Sequence, residues 1–116
     1  HGDIVATADG EGKVRLFRVP TGELVRTVRA SSSSIQTIAF SPDGKTVAVG
    51  GLDRVMRTID VSTGQIAKTF EGHTDYIESL AFSPDGTRLG TASTDDTVRI
   101  WDTGSGKVIK VLRATA

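Results

Sequence analysis

The chain of 116 residues contains no cysteine, which excludes disulfide bonds, thiolate nucleophiles and thiolate metal sites. Aromatic residues make up 5% of the sequence, with one Trp and one Tyr, so a sugar-stacking platform is poorly supported. Fourteen Lys and Arg balance 14 Asp and Glu. Without excess positive charge to concentrate the chain on a nucleic acid backbone, we expect no nucleic acid partner.

Long hydrophobic runs are also missing. No apolar run approaches the roughly 18 to 20 residues that a membrane span requires, and the first residues do not resemble a secretion signal. A leader removed during maturation would leave the same sequence. We expect no membrane partner and a cytoplasmic or otherwise intracellular location.

What the sequence does contain is a repeat with a period of 42 residues. The segment Phe40–Gly44 lies over Phe82–Gly86 without a gap, and both read Phe-Ser-Pro-Asp-Gly. Gly22 lies over Gly64 and Gly106 at the same spacing. Self-similarity at a period in the low forties is typical of four-stranded propeller blades.

Short β-rich runs alternate with turn signals about every ten residues within each repeat, which predicts an all-β fold. We name the four strands of a complete repeat a to d, in chain order. The first repeat contains no strand a, so 11 strands are expected. The Ser-Pro-Asp-Gly segment between strands a and b has the residue types of a type I turn. The predicted segments are 35–40 and 77–82 for a; 3–8, 46–50 and 88–93 for b; 13–19, 55–60 and 98–102 for c; and 23–28, 65–70 and 107–112 for d.

The motifs of the third repeat together resemble a WD-repeat β-propeller blade. The resemblance extends over nearly the whole chain and implies a partial propeller of antiparallel four-stranded blades, whose first blade lacks its innermost strand. The usual role of this architecture is a non-enzymatic scaffold for a protein or peptide partner, without a cofactor or metal. The motifs are Gly72-His73, Phe82–Gly86, Ser93-Thr94-Asp95 and Trp101-Asp102, and the implied units are an incomplete blade at 1–30 and blades at 31–72 and 73–114.

The resemblance also implies a buried hydrogen-bonded network in the third repeat. His73 in the d-to-a loop, Asp95 in the b-to-c turn, Trp101 on strand c and a strand-b hydroxyl would hold one another, with Thr91 favoured as the hydroxyl and Ser93 next. A buried indole N–H needs such an acceptor. A catalytic or metal-binding role is disfavoured, since no second imidazole and no nucleophile stands at an established spacing.

The other two repeats depart from this pattern. The middle repeat has Ser31 and Ile59 at the positions of the imidazole and the indole. In the first repeat, Phe17 takes the position of the indole and Glu11 that of the carboxylate. We therefore expect these two blades to rely on apolar packing and to open more easily than the third.

Tyr76 precedes strand a of the third repeat, at the loop end where members of the resembled family place residues around the channel mouth. An exposed Tyr there would offer a large contact area at low entropic cost; a ring half-buried against the next blade is the alternative. The candidate partner-binding residues are Asp75, Tyr76, Glu78, Thr94 and Asp96 in the third repeat and Ser34, Gln36, Leu52 and Arg54 in the middle repeat.

Closure of the ring is left open by the sequence. Propellers generally close with four to eight blades, and this chain supplies about 2.8 repeats. It is a fragment of a longer propeller, a natural or engineered partial propeller that self-assembles into a closed ring, or part of a larger complex. A protein- or peptide-binding scaffold is the leading function, a purely structural ring-forming segment is the alternative, and an enzyme or sugar-binding propeller is the weaker one.

Overall fold

The computed structural model describes residues 4–19, 21–31, 33–71, 73 and 75–113. These residues form 11 strands in three antiparallel sheets and contain no helix. The strands are β1 (Ile4–Ala8), β2 (Lys13–Arg18), β3 (Leu24–Arg29), β4 (Ile35–Phe40), β5 (Thr46–Gly51), β6 (Met56–Asp60), β7 (Ile66–Phe70), β8 (Ile77–Phe82), β9 (Arg88–Ser93), β10 (Thr97–Asp102) and β11 (Val108–Arg113).

Each sheet is a meander in which strands adjacent in the chain pair with each other. The first sheet contains β1 to β3, the second β4 to β7 and the third β8 to β11. The predicted all-β class, the 11 strands and the missing innermost strand of the first sheet are confirmed within the described residues. The predicted divisions after residues 30 and 72 fall in the links between sheets. Asp3 and Gly72, named in the predictions, lie outside the described residues.

The turn between β4 and β5 shows how the repeated Ser-Pro-Asp-Gly segment reverses the chain. The amide of Gly44 donates to the carbonyl of Ser41 at 2.9 Å, and Gly44 has a φ of 73°. The Asp43 carboxylate accepts the Ser41 hydroxyl at 2.6 Å and the Lys45 amide at 2.9 Å. These local bonds tie the turn to its own side chains, so it forms without help from a neighbouring sheet.

The three sheets share a β-bulge at equivalent points of their last strand pair. The register shifts between Leu16 and Phe17, between Thr58 and Ile59, and between Ile100 and Trp101, so the bulges repeat with the 42-residue period. A bulge increases local twist. Sheets that twist alike at the same point can stack face to face.

Two apolar clusters hold the sheets together. Successive side chains of β5 point to opposite faces, so Val47 and Val49 join the cluster against the first sheet and Ala48 joins the cluster against the third. A Cβ on Gly50 would lie 2.9 Å from Ile77 Cγ2, so only a glycine allows β5 to approach β8 this closely. The second sheet is therefore covered on both faces, and each end sheet on one.

Candidate functional site

Four side chains of the third sheet form a continuous chain of hydrogen bonds at its contact with the second sheet. His73 Nδ1 lies 3.0 Å from Asp95 Oδ2, and His73 Nε2 lies 2.6 Å from Thr91 Oγ1. The indole N–H of Trp101 donates to the same Thr91 hydroxyl oxygen at 2.9 Å. The Trp101 ring meets Phe70 of β7 edge to face, with 5.6 Å between centroids. The network is thus part of the packing between sheets.

The contacts assign the protons within this chain. The indole of Trp101 can only donate, so Thr91 Oγ1 accepts from it. The Asp95 carboxylate can only accept, so His73 Nδ1 donates to it, and the Nε2 of a neutral imidazole then accepts the Thr91 hydroxyl. Both ring nitrogens are engaged inside the sheet, which leaves neither for a metal or a reacting group.

Ser93 and Thr97 occupy the edge of this network. The Ser93 hydroxyl accepts the amide of Asp95 at 3.1 Å and so shapes the turn, whereas Thr91 contacts the imidazole. Thr97, which is not among the predicted network residues, also contacts Asp95: its hydroxyl and its backbone N–H both donate to Asp95 Oδ1, the N–H at 2.9 Å. An Asp followed two residues later by Thr is the available sequence signal, because a short carboxylate caps amides two residues on.

The second sheet has a polar cluster at the equivalent place. Asp53 Oδ2 accepts the Ser31 hydroxyl at 2.7 Å and Arg57 Nη1 at 2.6 Å. Partial burial alone would raise the pKa of Asp53, but hydrogen bonds from Arg57, Ser31 and the Val55 amide together lower it. The second sheet lacks the imidazole and the indole, as expected, but it does not rely only on apolar packing: the buried Ser31 in the position of His73 still bonds to the carboxylate.

In the first sheet the turn carboxylate is supplied by Asp9 and not by Glu11, the residue that the repeat places at the position of Asp95. Asp9 accepts the amides of Lys13 and Glu11 at 3.0 and 2.9 Å and binds Arg15 Nη1 at 2.9 Å. The Lys13 amide and the Arg15 guanidinium are the main causes that lower its pKa to about 2. The shorter Asp side chain reaches back to the turn amides, while Glu11 extends towards solvent.

Two short hydrogen-bonded links fix the loops that carry the candidate binding residues. The amide of Thr94 donates to the Tyr76 carbonyl at 3.0 Å, and the amide of Leu52 donates to the Ser34 carbonyl at 3.1 Å. The two bonds are 42 residues apart, so the d-to-a loop and the b-to-c turn meet in the same way in both sheets. The Tyr76 residue is 45% exposed on this fixed backbone.

The remaining candidates surround these links. Arg54 and Asp96 sit at equivalent turn positions with φ of 68° and 66°, a left-handed conformation that is uncommon for residues other than glycine. Among the described residues no hydrogen bond or ion pair joins the candidates of the second sheet to those of the third. Glu78, Thr94, Asp96, Gln36 and Arg54 are exposed, and Asp75, Ser34 and Leu52 are partly buried.

Neither a metal-binding cluster nor a membrane-spanning helix is found in the described part of the chain. No group of three or more His, Cys, Asp or Glu side chains is placed to hold a metal ion. No helix there is long and apolar enough to cross a membrane.

Comparison with known proteins identifies relatives of limited overlap. The chain is 43% identical over 53 residues to THO complex subunit 3 of Arabidopsis thaliana, a match covering 46% of this chain and 16% of that protein. It is 40% identical over 47 residues to the guanine nucleotide-exchange factor SEC12 of Rattus norvegicus, covering 40% of this chain and 11% of that protein. The matches span less than a fifth of either relative.

Two family models match the chain itself. Residues 64–102 match the model described as WD domain, G-beta repeat. Residues 1–77 match the Anaphase-promoting complex subunit 4 WD40 domain, which is more than half of the 116 residues. Domains of this kind generally mediate protein interactions and are typically non-enzymatic scaffolds. With the sheets and motifs described above, these matches show that the chain belongs to the WD-repeat family.

Proposed function

We infer that this chain is a non-enzymatic scaffold that binds a protein or peptide segment through the loop ends of its second and third sheets. We call this region the Tyr76 surface; it comprises Asp75, Tyr76, Glu78, Thr94, Asp96, Ser34, Gln36, Leu52 and Arg54. The observation that carries the proposal is Tyr76, a large amphipathic ring exposed on a backbone that Thr94 fixes from the neighbouring turn. A rigid, exposed aromatic side chain is the usual anchor of an interface.

The charges of the Tyr76 surface suggest the chemistry of the partner. Asp75, Glu78 and Asp96 contribute acid around the ring, and Arg54 is the basic member of the set. A Lys or Arg side chain could stack on the Tyr76 face while its charge meets these carboxylates. We therefore assign a basic peptide segment to this surface. By its name, one relative is a subunit of a complex, which agrees with a partner of the protein class.

The buried polar groups support a scaffold over an enzyme. His73 is the only imidazole among the described residues, and both of its nitrogens are held inside the third sheet. General acid or base chemistry needs such a group to reach a bound substrate. We therefore assign the His73 network to the stability of the sheet and propose no reaction.

Selection from a display library of short peptides tests the proposal. The selected peptides should be enriched in Lys and Arg, bind more weakly at high salt, and bind Tyr76→Ala about 10-fold or more weakly. Leu24→Ala is the matched control, because Leu24 is a similarly exposed apolar residue on β3. Equal affinity of the two variants for the selected peptides would rule out the Tyr76 surface as the binding site.

A second candidate function is self-association into a larger ring through the open faces of the end sheets. It is favoured by the exposure of Leu112 at 45%, whereas its equivalents Val28 and Phe70, one and two repeats earlier, are buried. Light scattering at micromolar concentration tests this candidate: a well-folded chain with the mass of a single copy, 12.2 kDa, would contradict it.

A further inference from the structure

The outer strands of the three sheets show how one sheet covers the next. Val28 of β3 is 8% exposed and Phe70 of β7 is 1% exposed, and both belong to apolar clusters shared with the following sheet. Leu112 of β11 occupies the same position, and none of the three sheets that the structure describes covers it. In the first two sheets this position is therefore one that the following sheet covers.

The adjacent position supports this interpretation. Thr27, Thr69 and Val111 are also equivalent, and all three are exposed, including the two that lie in covered sheets. Successive residues in a strand point to opposite faces. The face of the third sheet that carries Leu112 is thus the one that a further sheet would cover.

A basic side chain on the same outer strand forms the second part of each contact. Arg26 of β3 reaches the second sheet, where its Nη2 donates to the Ser62 carbonyl at 2.9 Å. Its aliphatic stem lies over Gly64, where a Cβ would come within 2.3 Å of Arg26 Cδ. The equivalent Lys68 lies over Gly106, with 3.1 Å between its Cδ and a Cβ built there. Each basic stem therefore covers the glycine of the next sheet's c-to-d turn.

The two ends of the chain carry complementary halves of this contact. Lys110 is the third member of the basic series, and it is exposed. At the other end, Gly22 has the same φ of 76° as Gly64, but a Cβ there would meet nothing within 4 Å. Val5 is 46% exposed, although its equivalents Val47 and Leu89 are fully buried beneath the preceding sheet.

We propose that the open face of the third sheet binds the first sheet of a second copy of this chain, with Lys110 over Gly22 and with Leu112 and Val5 in one apolar layer. The inference rests on the self-association candidate and specifies its contact. The interface is heterologous, because it joins two different surfaces; two such contacts between two copies would close a ring, and an open series would form a filament.

Light scattering of variants at micromolar concentration tests the apolar half of the contact. Leu112→Arg should reduce the mass to that of one chain, 12.2 kDa, and Val111→Arg on the opposite face should leave the assembly unchanged. Val5→Arg should also give single chains. An equal mixture of Leu112→Arg and Val5→Arg should recover a dimer, because each variant keeps the half that the other has lost. Circular dichroism checks that each variant is folded.

The predicted contact between Lys110 and Gly22 is tested with a separate variant and control. Gly22→Asn should weaken the assembly, since Asn tolerates positive φ but would place a Cβ beneath Lys110. Gly86→Asn makes the same change at a φ of 77°, where a Cβ would meet only Pro42 at 3.5 Å, and should assemble normally.

The outcomes separate this contact from self-association in general. A wild-type chain that stays single would overturn both. A wild-type chain that assembles while Leu112→Arg assembles equally well, or while the mixed variants stay single, would overturn the proposed contact and leave another interface to explain the association.

Discussion

Replacing Thr91 by Val provides the sharpest test of the buried network. The two side chains have nearly the same shape, so the change removes the hydroxyl and little else. Trp101 Nε1 then loses its acceptor at 2.9 Å, and His73 Nε2 loses its donor at 2.6 Å. Both groups lie in a buried region where water cannot readily replace the lost bonds.

The expected cost follows from the two orphaned groups. A buried polar group left without a partner costs about 1–3 kcal/mol. With two such groups, and a small gain from the added methyl, Thr91→Val should lower the free energy of unfolding by about 2–4 kcal/mol. Thr91→Ser keeps the hydroxyl and should cost about 1 kcal/mol, mainly through the lost methyl group.

Urea denaturation followed by Trp fluorescence measures these differences, because Trp101 is the single Trp of the chain and is buried. All variants are compared at one protein concentration, since association would add to the apparent stability. Thr58→Val is the matched control: Thr58 is also buried in a strand, but it makes no side-chain hydrogen bond to another described residue. If Thr91→Val and Thr58→Val lose the same stability, the network does not stabilise the sheet.

Two further predictions concern acid and local opening. Hydrogen bonds, led by the Lys13 amide at Asp9 and by the Thr87 amide at Asp85, lower the pKa of each carboxylate in the folded chain from 3.8 to about 2. The stability that they contribute should therefore be retained above about pH 4 and be lost as the pH falls towards about 2. Melting temperatures measured against pH should decline less steeply for Asp9→Asn and Asp85→Asn, and an unchanged acid slope in these variants would contradict this. Under conditions where the chain is a single copy, hydrogen exchange should be slowest in β5, which is covered on both faces, and fastest in β11, where every residue is exposed. Faster exchange in β5 than in β10 would instead support the expectation that the first two blades open more easily than the third.

The sequence predicts local features best where one short segment contains its own partners. Strands β4, β8 and β9 have the predicted bounds. The first two are alternating apolar runs that end in a Ser-Pro-Asp-Gly turn whose Ser and Asp bond to each other, and β9 begins shortly after the second of these turns. Boundaries at the remaining strands differ by one residue, as at β11, which ends at Arg113. Among the described residues β11 is an edge strand, so pairing with β10 alone decides where it stops.

Contacts that depend on side-chain reach were predicted less well. The gapless repeat places Glu11 opposite Asp95, but alignment compares residue types and not the distance from a carboxylate to the turn amides. The structure therefore uses Asp9, two residues earlier. The Ser31 contact to Asp53 is hard to predict for a related reason: a serine in place of an imidazole looks like the loss of a partner, although its hydroxyl bonds to the same carboxylate.

All three sheets have a carboxylate in the b-to-c turn, but its side-chain partner differs: an arginine in the first and second sheets and His73 in the third. Asp9 and Asp53 bind the guanidinium groups of Arg15 and Arg57. In the third sheet His73 contacts Asp95, and Nε of Arg99, the equivalent arginine, is buried without a hydrogen bond to the described residues.

An Arg–Asp ion pair occurs where the third strand of the repeat carries an apolar side chain at the contact between sheets, as Ile59 does in the second sheet. The second sheet has Val49 and Ile59 at the positions of Thr91 and Trp101, so it buries neither a hydroxyl nor an indole N–H there. Trp101 adds a polar atom that must be paired, Thr91 accepts it, and His73 completes the chain to Asp95. The indole, the hydroxyl and the imidazole thus form one connected set in the third sheet, whereas in the first and second sheets an arginine pairs with the turn carboxylate.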